Sequence, residues 1–219
     1  MTILAENNQG LANLFRLSSL ASLEGYYYKP RMDRELISRH ADGLIATTGC
    51  PGGEIQTRLR MGNYREALRA ASDYRDIFGA HNFFLELMDH GIDVETRVKE
   101  DLIKLGRELK LPLLATNDLH YTRHEDAAAH EALLCVQSGS TLADPKRFKF
   151  DNDSFYVKTP AQMRELFKDI PESCDNTLLI AERCEVTMRE NENLLPQFNV
   201  PAGETEDSWL KKEAVRGMK

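Results

Sequence analysis

Apolar and polar positions alternate in two rhythms along this chain, and each change of rhythm marks an element. Thr2–Ala5 is a short apolar stretch that reads as a strand. From Asn8 or Gly10 onward, Leu11, Leu14, Phe15, Leu17 and Leu20 recur at the three-to-four spacing of an amphipathic helix, which Gly25 ends. An aromatic, basic loop covers residues 26–31, and Met32-Asp33 leads into a short helix ending near His40. The pattern then becomes regular. Residues 43–47, 82–87 and 111–116 are apolar runs of strand length, each followed by a loop and then a helical stripe. The predicted helices cover residues 54–78, broken near Gly62, then 93–110, with Val94, Val98, Leu102, Leu105 and Leu109 on one face, then 124–137. Later segments are weaker. Residues 140–150 read as a polar and basic loop, 154–158 as a strand, 160–167 and 171–184 as helices, 194–206 as an extended connector, and 209–219 as a helix.

Three strand–loop–helix units in succession predict a parallel α/β arrangement. Right-handed crossovers place the three loops after the strands at one end of the sheet. In an α/β barrel that end carries the chemistry. Four or five strands are too few to close a barrel of seven or eight, so the pattern predicts a barrel cut at both ends.

Composition narrows this picture without replacing it. Apolar residues make up 42% and charged residues 29% of the 219, enough to bury a core and exclude a disordered chain. The net charge of -7 argues against a surface-wide basic footprint for nucleic acid. Residues 1–110 are nearly neutral, which leaves room for a local basic groove there. No apolar run reaches the ~20 residues that span a bilayer. Cys50, Cys135, Cys174 and Cys184 form no CxxC pair, which points to a reducing compartment, and the last three lie in helical patterns as core residues.

Asp118-Leu119-His120 is the sharpest chemical feature. Residues two apart in extended chain point the same way, so a carboxylate oxygen and an imidazole nitrogen can reach one zinc, manganese or iron ion. The alternative is a capping Asp and a surface His. Cys50 sits in the glycine-rich turn Gly49-Cys50-Pro51-Gly52-Gly53 after the first of the three strands, either as a third ligand or as a small buried hydrophobe. Glu86 and His90, at the end of the middle strand, are either groups that orient ligands or, for His90, part of a turn with Asp89 and Gly91. His124 and His130 read as surface residues. In the loop at 26–31, Tyr28, Lys29 and Arg31 can stack and neutralise single-stranded nucleic acid, or the rings can pack under a barrel rim. Lys146-Arg147-Phe148-Lys149 is a weaker patch of the same kind, read as a solvated loop.

Taken in order, four motifs closely resemble the bacterial DNA polymerase III alpha subunit family over essentially the whole chain. They are Leu4-Ala5-Glu6-Asn7 with Gly10-Leu11, Asn13-Leu14 and Leu17-Ser18; Gly25-Tyr26-Tyr27-Tyr28-Lys29-Pro30-Arg31; Thr48-Gly49-Cys50-Pro51-Gly52-Gly53-Glu54; and Ala115-Thr116-Asn117-Asp118-Leu119-His120-Tyr121. The resemblance implies an incomplete PHP-type distorted (β/α)7 barrel, truncated on its N-terminal side, over residues 1–188. PHP stands for polymerase and histidinol phosphatase. Residues 189–219 would be a connector and the start of the polymerase palm region. Cys50, Asp118 and His120 then match metal ligands of a divalent cluster of zinc, manganese or iron. The family's other ligands, mainly histidines and acidic residues, precede the segment matching Thr2.

For the whole protein the resemblance implies DNA-templated DNA synthesis in the cytoplasm with Mg²⁺ at the polymerase site. Its partners would be DNA, deoxynucleotides, a sliding clamp and a proofreading subunit, with no membrane. For the PHP module it implies a 3′–5′ proofreading exonuclease or, in members with decayed ligands, a scaffold that supports the core and docks a proofreading partner. A free-standing phosphoesterase of the histidinol phosphatase type is a third reading, against which residues 194–219 and 26–31 speak. The 219 residues alone are expected neither to extend a primer nor to digest DNA.

Overall fold

A computed structural model describes residues 1–188, 190, 195 and 198–218. They fall into two compact units, Met1–Thr187 and Met188–Lys219. The first unit is built on a four-stranded sheet of order β1 (Thr2–Ala5), β2 (Leu44–Thr47), β3 (Phe83–Leu87) and β4 (Leu113–Ala115). β2, β3 and β4 are parallel, with Ala46 opposite Phe83 and Glu86 opposite Leu114. β1 runs antiparallel to β2, Thr2 opposite Thr47, a direction that apolar periodicity alone does not encode. A mixed α/β fold with its post-strand loops at one end is therefore present.

The helices follow the predicted stripes closely: α1 (Asn8–Leu23), α2 (Arg34–Arg39), α3 (Glu54–Arg60), α4 (Tyr64–Phe78), α5 (Asp93–Leu109), α6 (Ala127–Ser138), α7 (Pro160–Leu166) and α8 (Pro171–Arg183). α1 starts where the Asn7 side chain accepts the Gly10 N–H at 3.0 Å, satisfying one orphan donor of the first turn. There α1 presses on the chain before β2 so tightly that a Cβ on Gly10 would lie 1.8 Å from the Gly43 carbonyl oxygen. Only glycine permits that approach. One difference concerns residues 124–137, where His124–Asp126 form a single 3-10 turn before α6 begins.

The sheet separates its side chains by parity, as a pleated strand must. Leu44, Ala46, Phe83, Leu85, Leu87, Leu113 and Ala115 face one side and join Ile55, Leu59, Ala67, Ala71, Phe78, Val98, Leu102 and Leu105 in the main core. Ile45, Phe84 and Leu114 face the other side and meet Ile180 of α8, with Leu4 and Cys184 against them. α8 runs from the β4 edge, where Asn176 Nδ2 donates to the Leu113 carbonyl at 2.7 Å, to the end of β1, where the Glu185 N–H donates to the Glu6 carbonyl at 2.8 Å. It thereby satisfies an exposed sheet edge. Cys135 and Cys174 are buried as expected, and Cys184 is half-buried.

Residues 154–158 are not a strand. A single bridge pairs Tyr156 with Tyr121, and the His120 N–H donates to the Phe155 carbonyl at 2.8 Å. An Asn152 turn bends the segment's start, where Asn152 Oδ1 accepts the Ser154 N–H, so the apolar run fastens a loop instead of extending the sheet. In the second unit, α9 spans Glu206–Gly217, starting three residues earlier than the hydrophobic pattern predicts. The reason is a reciprocal cap: Thr205 Oγ1 accepts the Ser208 N–H at 3.2 Å and Ser208 Oγ accepts the Thr205 N–H at 2.9 Å. Of the connector predicted over 194–206, residues 194, 196 and 197 lie outside the described residues, as does Lys219.

Candidate functional site

Glu86 organises the end of the sheet where the three loops emerge. It points to the side opposite the main core, and it is buried. Its carboxylate accepts from the Thr47 hydroxyl at the end of β2, from the Gly49 N–H at 3.1 Å and from the Thr116 hydroxyl at 2.7 Å just past β4. One carboxylate thus ties together three parallel strand ends. Thr48 Oγ1 in turn accepts the Glu86 N–H at 2.8 Å, and the Gln56 amide donates to the Gly49 carbonyl at 2.6 Å. Gly49, with φ of 72°, is held from both sides, and Cys50 beyond it is exposed with a free thiol. The chain's first residue packs here too: a Cβ on Gly49 would stand 2.7 Å from the Met1 nitrogen.

The β4 loop is held by a second buried network. His90 Nε2 bonds to the Asn117 carbonyl at 2.7 Å, and His90 Nδ1 bonds to Glu95 at 2.7 Å. The other Glu95 oxygen accepts the His90 N–H at 2.7 Å. A carbonyl only accepts, so Nε2 carries a proton, and an ionised Glu95 favours a second proton on Nδ1. Burial by itself would lower the His90 pKa; the bonds to Glu95 and Asn117 outweigh it and hold the imidazole above its ordinary value. His90 also stacks on Phe155, centroids 4.2 Å apart. His90 is therefore a buried anchor, while Asp89 and Gly91 make the surface turn, with Asp89 paired to Lys99 at 3.0 Å.

Asn117 is clamped at its side chain as well. Its Nδ2 donates to the Tyr156 carbonyl at 2.6 Å, and its Oδ1 accepts from Lys158 Nζ at 2.9 Å. Burial pushes the Lys158 ammonium below its ordinary pKa, with the charges of Glu95 and Asp89 opposing. Asp118 follows at φ of 39°, a left-handed value rare outside glycine, asparagine and aspartate.

Asp118 and His120 come together at this left-handed turn and not through the extended chain that their spacing presupposes. Asp118 Oδ1 and His120 Nε2 stand 3.6 Å apart, too far for a hydrogen bond, and neither side chain bonds elsewhere among the described residues. Two ligands each ~2.1 Å from one tetrahedral ion are themselves about 3.4 Å apart, so the pair fits two positions of a metal shell. Cys50 does not join them: among the described residues no three His, Cys, Asp or Glu side chains are grouped to hold a metal ion.

Sequence reasoning missed three groups here. His130 is not a free surface residue, because it is half-buried with its ring 5.7 Å from His120, 5.3 Å from Tyr121 and 5.0 Å from Phe150. Burial, then the charge of His120, hold its pKa below the ordinary value. Glu95 sits in the first turn of α5, a position that by itself does not point to His90. Lys158 sits in a segment mistaken for a strand. His124 is exposed as expected and pairs with Asp153 at 2.9 Å. Tyr28, Lys29 and Arg31 lie on an exposed loop between α1 and α2. No helix among the described residues is long and apolar enough to cross a membrane.

Comparison with known proteins places the chain among named relatives. The family model of the PHP domain matches residues 1–90. Over its whole length the chain is 54% identical to the DNA polymerase III subunit alpha of Mycobacterium leprae, of which it covers 19%. It is 56% identical over 97% of its length to the subunit of Saccharopolyspora erythraea, covering 18% of it, and 41% identical over its full length to that of Thermus aquaticus, again covering 18%. The chain thus spans about a fifth of the length of the curated relatives it matches. Within that span the chain is similar to DNA polymerase III alpha subunits, and its first 90 residues match the PHP domain.

Proposed function

We propose that the chain supplies part of a divalent-metal centre in the PHP module of a replicative DNA polymerase. Asp118, His120 and Cys50 are its ligands, and the others come from sequence outside these residues. The carrying observation is the Asp118–His120 pair, 3.6 Å apart and uncommitted at the C-terminal end of a parallel sheet. On this reading residues 1–188 are a partial distorted barrel of about seven strands related to the (β/α)8 plan. Residues 189–219 lead toward the palm, in keeping with the separate compact unit from Met188.

A bound zinc, manganese or iron cluster would supply Lewis acidity toward a phosphate oxygen and a readily ionised water, the chemistry of a phosphoesterase that trims 3′ nucleotides. The chain's own residues do the positioning. His90 and Glu95 fix the Asn117 carbonyl and so the backbone from which Asp118 projects. Glu86 fixes the backbone before Cys50. Lys158 holds the Asn117 side chain and places a positive charge behind the loop.

The whole protein would synthesise DNA from deoxynucleotides with Mg²⁺ at a separate palm site in the cytoplasm, working with a sliding clamp and a proofreading subunit. The 219 residues by themselves would do neither reaction. A second reading, a scaffold that supports the polymerase core, is favoured by the lack of a third converging donor among the described residues. Metal content of the longer protein separates the two. About one or more ions per chain, lost in Asp118→Ala and His120→Ala, supports the centre; a metal-free protein supports the scaffold.

A further inference from the structure

The loop between α1 and α2 presents three consecutive tyrosines to solvent. Tyr26, Tyr27 and Tyr28 are 65%, 63% and 79% exposed, so their rings do not pack under the sheet, one of the two arrangements open in the sequence. The loop is nevertheless well defined. Arg31 Nε donates to the Tyr27 carbonyl at 3.1 Å while its guanidinium lies 5.2 Å from the Tyr27 ring centre. Tyr27 and Tyr28 meet edge to face at 4.6 Å, and the Tyr27 N–H donates to the Lys29 carbonyl at 3.1 Å. Tyr28 holds φ of 60°, a strained value for a bulky residue. At the loop's root a Cβ on Gly25 would lie 2.0 Å from the Arg31 carbonyl oxygen, so the loop closes on a glycine. A prefolded loop with outward rings loses little freedom on binding.

Its charges are also available. Neither Lys29 nor Arg31 pairs with a carboxylate among the described residues. The loop is moored beside the Cys50 turn: Arg34 Nη2 reaches both Glu54 oxygens at 2.9 Å, and the Arg34 guanidinium covers the Tyr74 ring at 4.7 Å. Arg31 is three residues from that ion pair and Cys50 is four, at most ~11 Å and ~14 Å of chain.

We propose that this loop binds single-stranded nucleic acid, with Tyr26 and Tyr28 stacking on unpaired bases and Lys29 and Arg31 neutralising the adjoining phosphates. Protruding rings stack on bases whose faces are free, which a duplex does not offer. The chain's net charge of -7 gives no broad basic field to capture a duplex by phosphates alone. The inference rests on the nucleic-acid side of the proposed function and not on the metal centre.

Fluorescence anisotropy of a labelled twelve-nucleotide oligo(dT), and of a duplex of the same length, titrated with the full chain in EDTA tests it. Expected are tighter binding of the single strand, a loss of about tenfold for each of Tyr26→Ala and Tyr28→Ala, and a salt slope reduced by about 0.7 for each of Lys29→Ala and Arg31→Ala. All four side chains are exposed, so unchanged circular dichroism should accompany the losses. No single-strand binding, equal affinity for duplex, or variants that bind like the parent would overturn the proposal, and capture of only a protein partner by this loop would do the same. Asp118→Ala should keep this binding, so failure of the metal centre and failure of the loop are read separately.

Discussion

The two faces of the sheet are built from the same strands by different physics. One face buries Leu44, Ala46, Phe83, Leu85, Leu87, Leu113 and Ala115 under helices, an apolar contact with no directional requirement. The other carries Ile45, Phe84 and Leu114 into a small cluster, with Leu4 against it, then turns polar at the strand ends with Thr47, Glu86 and Thr116. The first face stabilises the sheet; the second specifies where its loops leave. A change on the first should be felt in stability alone, and a change on the second in loop geometry as well.

Phe83→Ala should break the comparison most heavily on the stability side. Phe83 is fully buried between Tyr74 and Phe78, and its truncation should cost about 3–5 kcal/mol in denaturant unfolding. Metal bound per folded molecule should not change. Glu86→Ala comes next, at about 2–3 kcal/mol, because it strands the Thr47 and Thr116 hydroxyls and leaves the Gly49 N–H only its bond to Thr47 Oγ1. It should also change the rate at which iodoacetamide alkylates Cys50, which Phe83→Ala should not do below its unfolding midpoint.

The His90–Glu95 pair makes the polar side sensitive to pH. The folded state holds the His90 pKa above its unfolded value, so this contribution is fully present below pH ~6.5 and is lost as pH rises through the folded value. Urea midpoints measured across that range should show the decline, and Glu95→Gln should flatten it. Smallest of all is Cys50→Ser, expected to shift stability by less than about 0.5 kcal/mol because the thiol is exposed. Its effect should appear in metal content instead.

The sequence made the parallel strands legible because each apolar run is short, continuous and bounded by turn residues. It pointed to Asp118 and His120 on the assumption of extended chain, whereas the pair meets across a left-handed turn at Asp118. It could not show that β1 runs antiparallel, since apolar periodicity carries no direction. Residues 154–158 misled for a related reason: their pattern matches a strand, but their backbone pairs with the loop at 120–122. Glu95 was hidden because an acid in a helix's first turn already has a local explanation, and only tertiary folding carries it to His90. His130 needed the packing of Phe150, which comes from a loop with no periodicity to read.

The most direct test of the metal centre is the metal content of the longer protein, measured by mass spectrometry beside Asp118→Ala, His120→Ala and Phe83→Ala. Bound metal that disappears in the first two and persists per folded molecule in the third is the predicted result. A protein that carries no metal, or whose metal is untouched by removing Asp118 and His120, would contradict it.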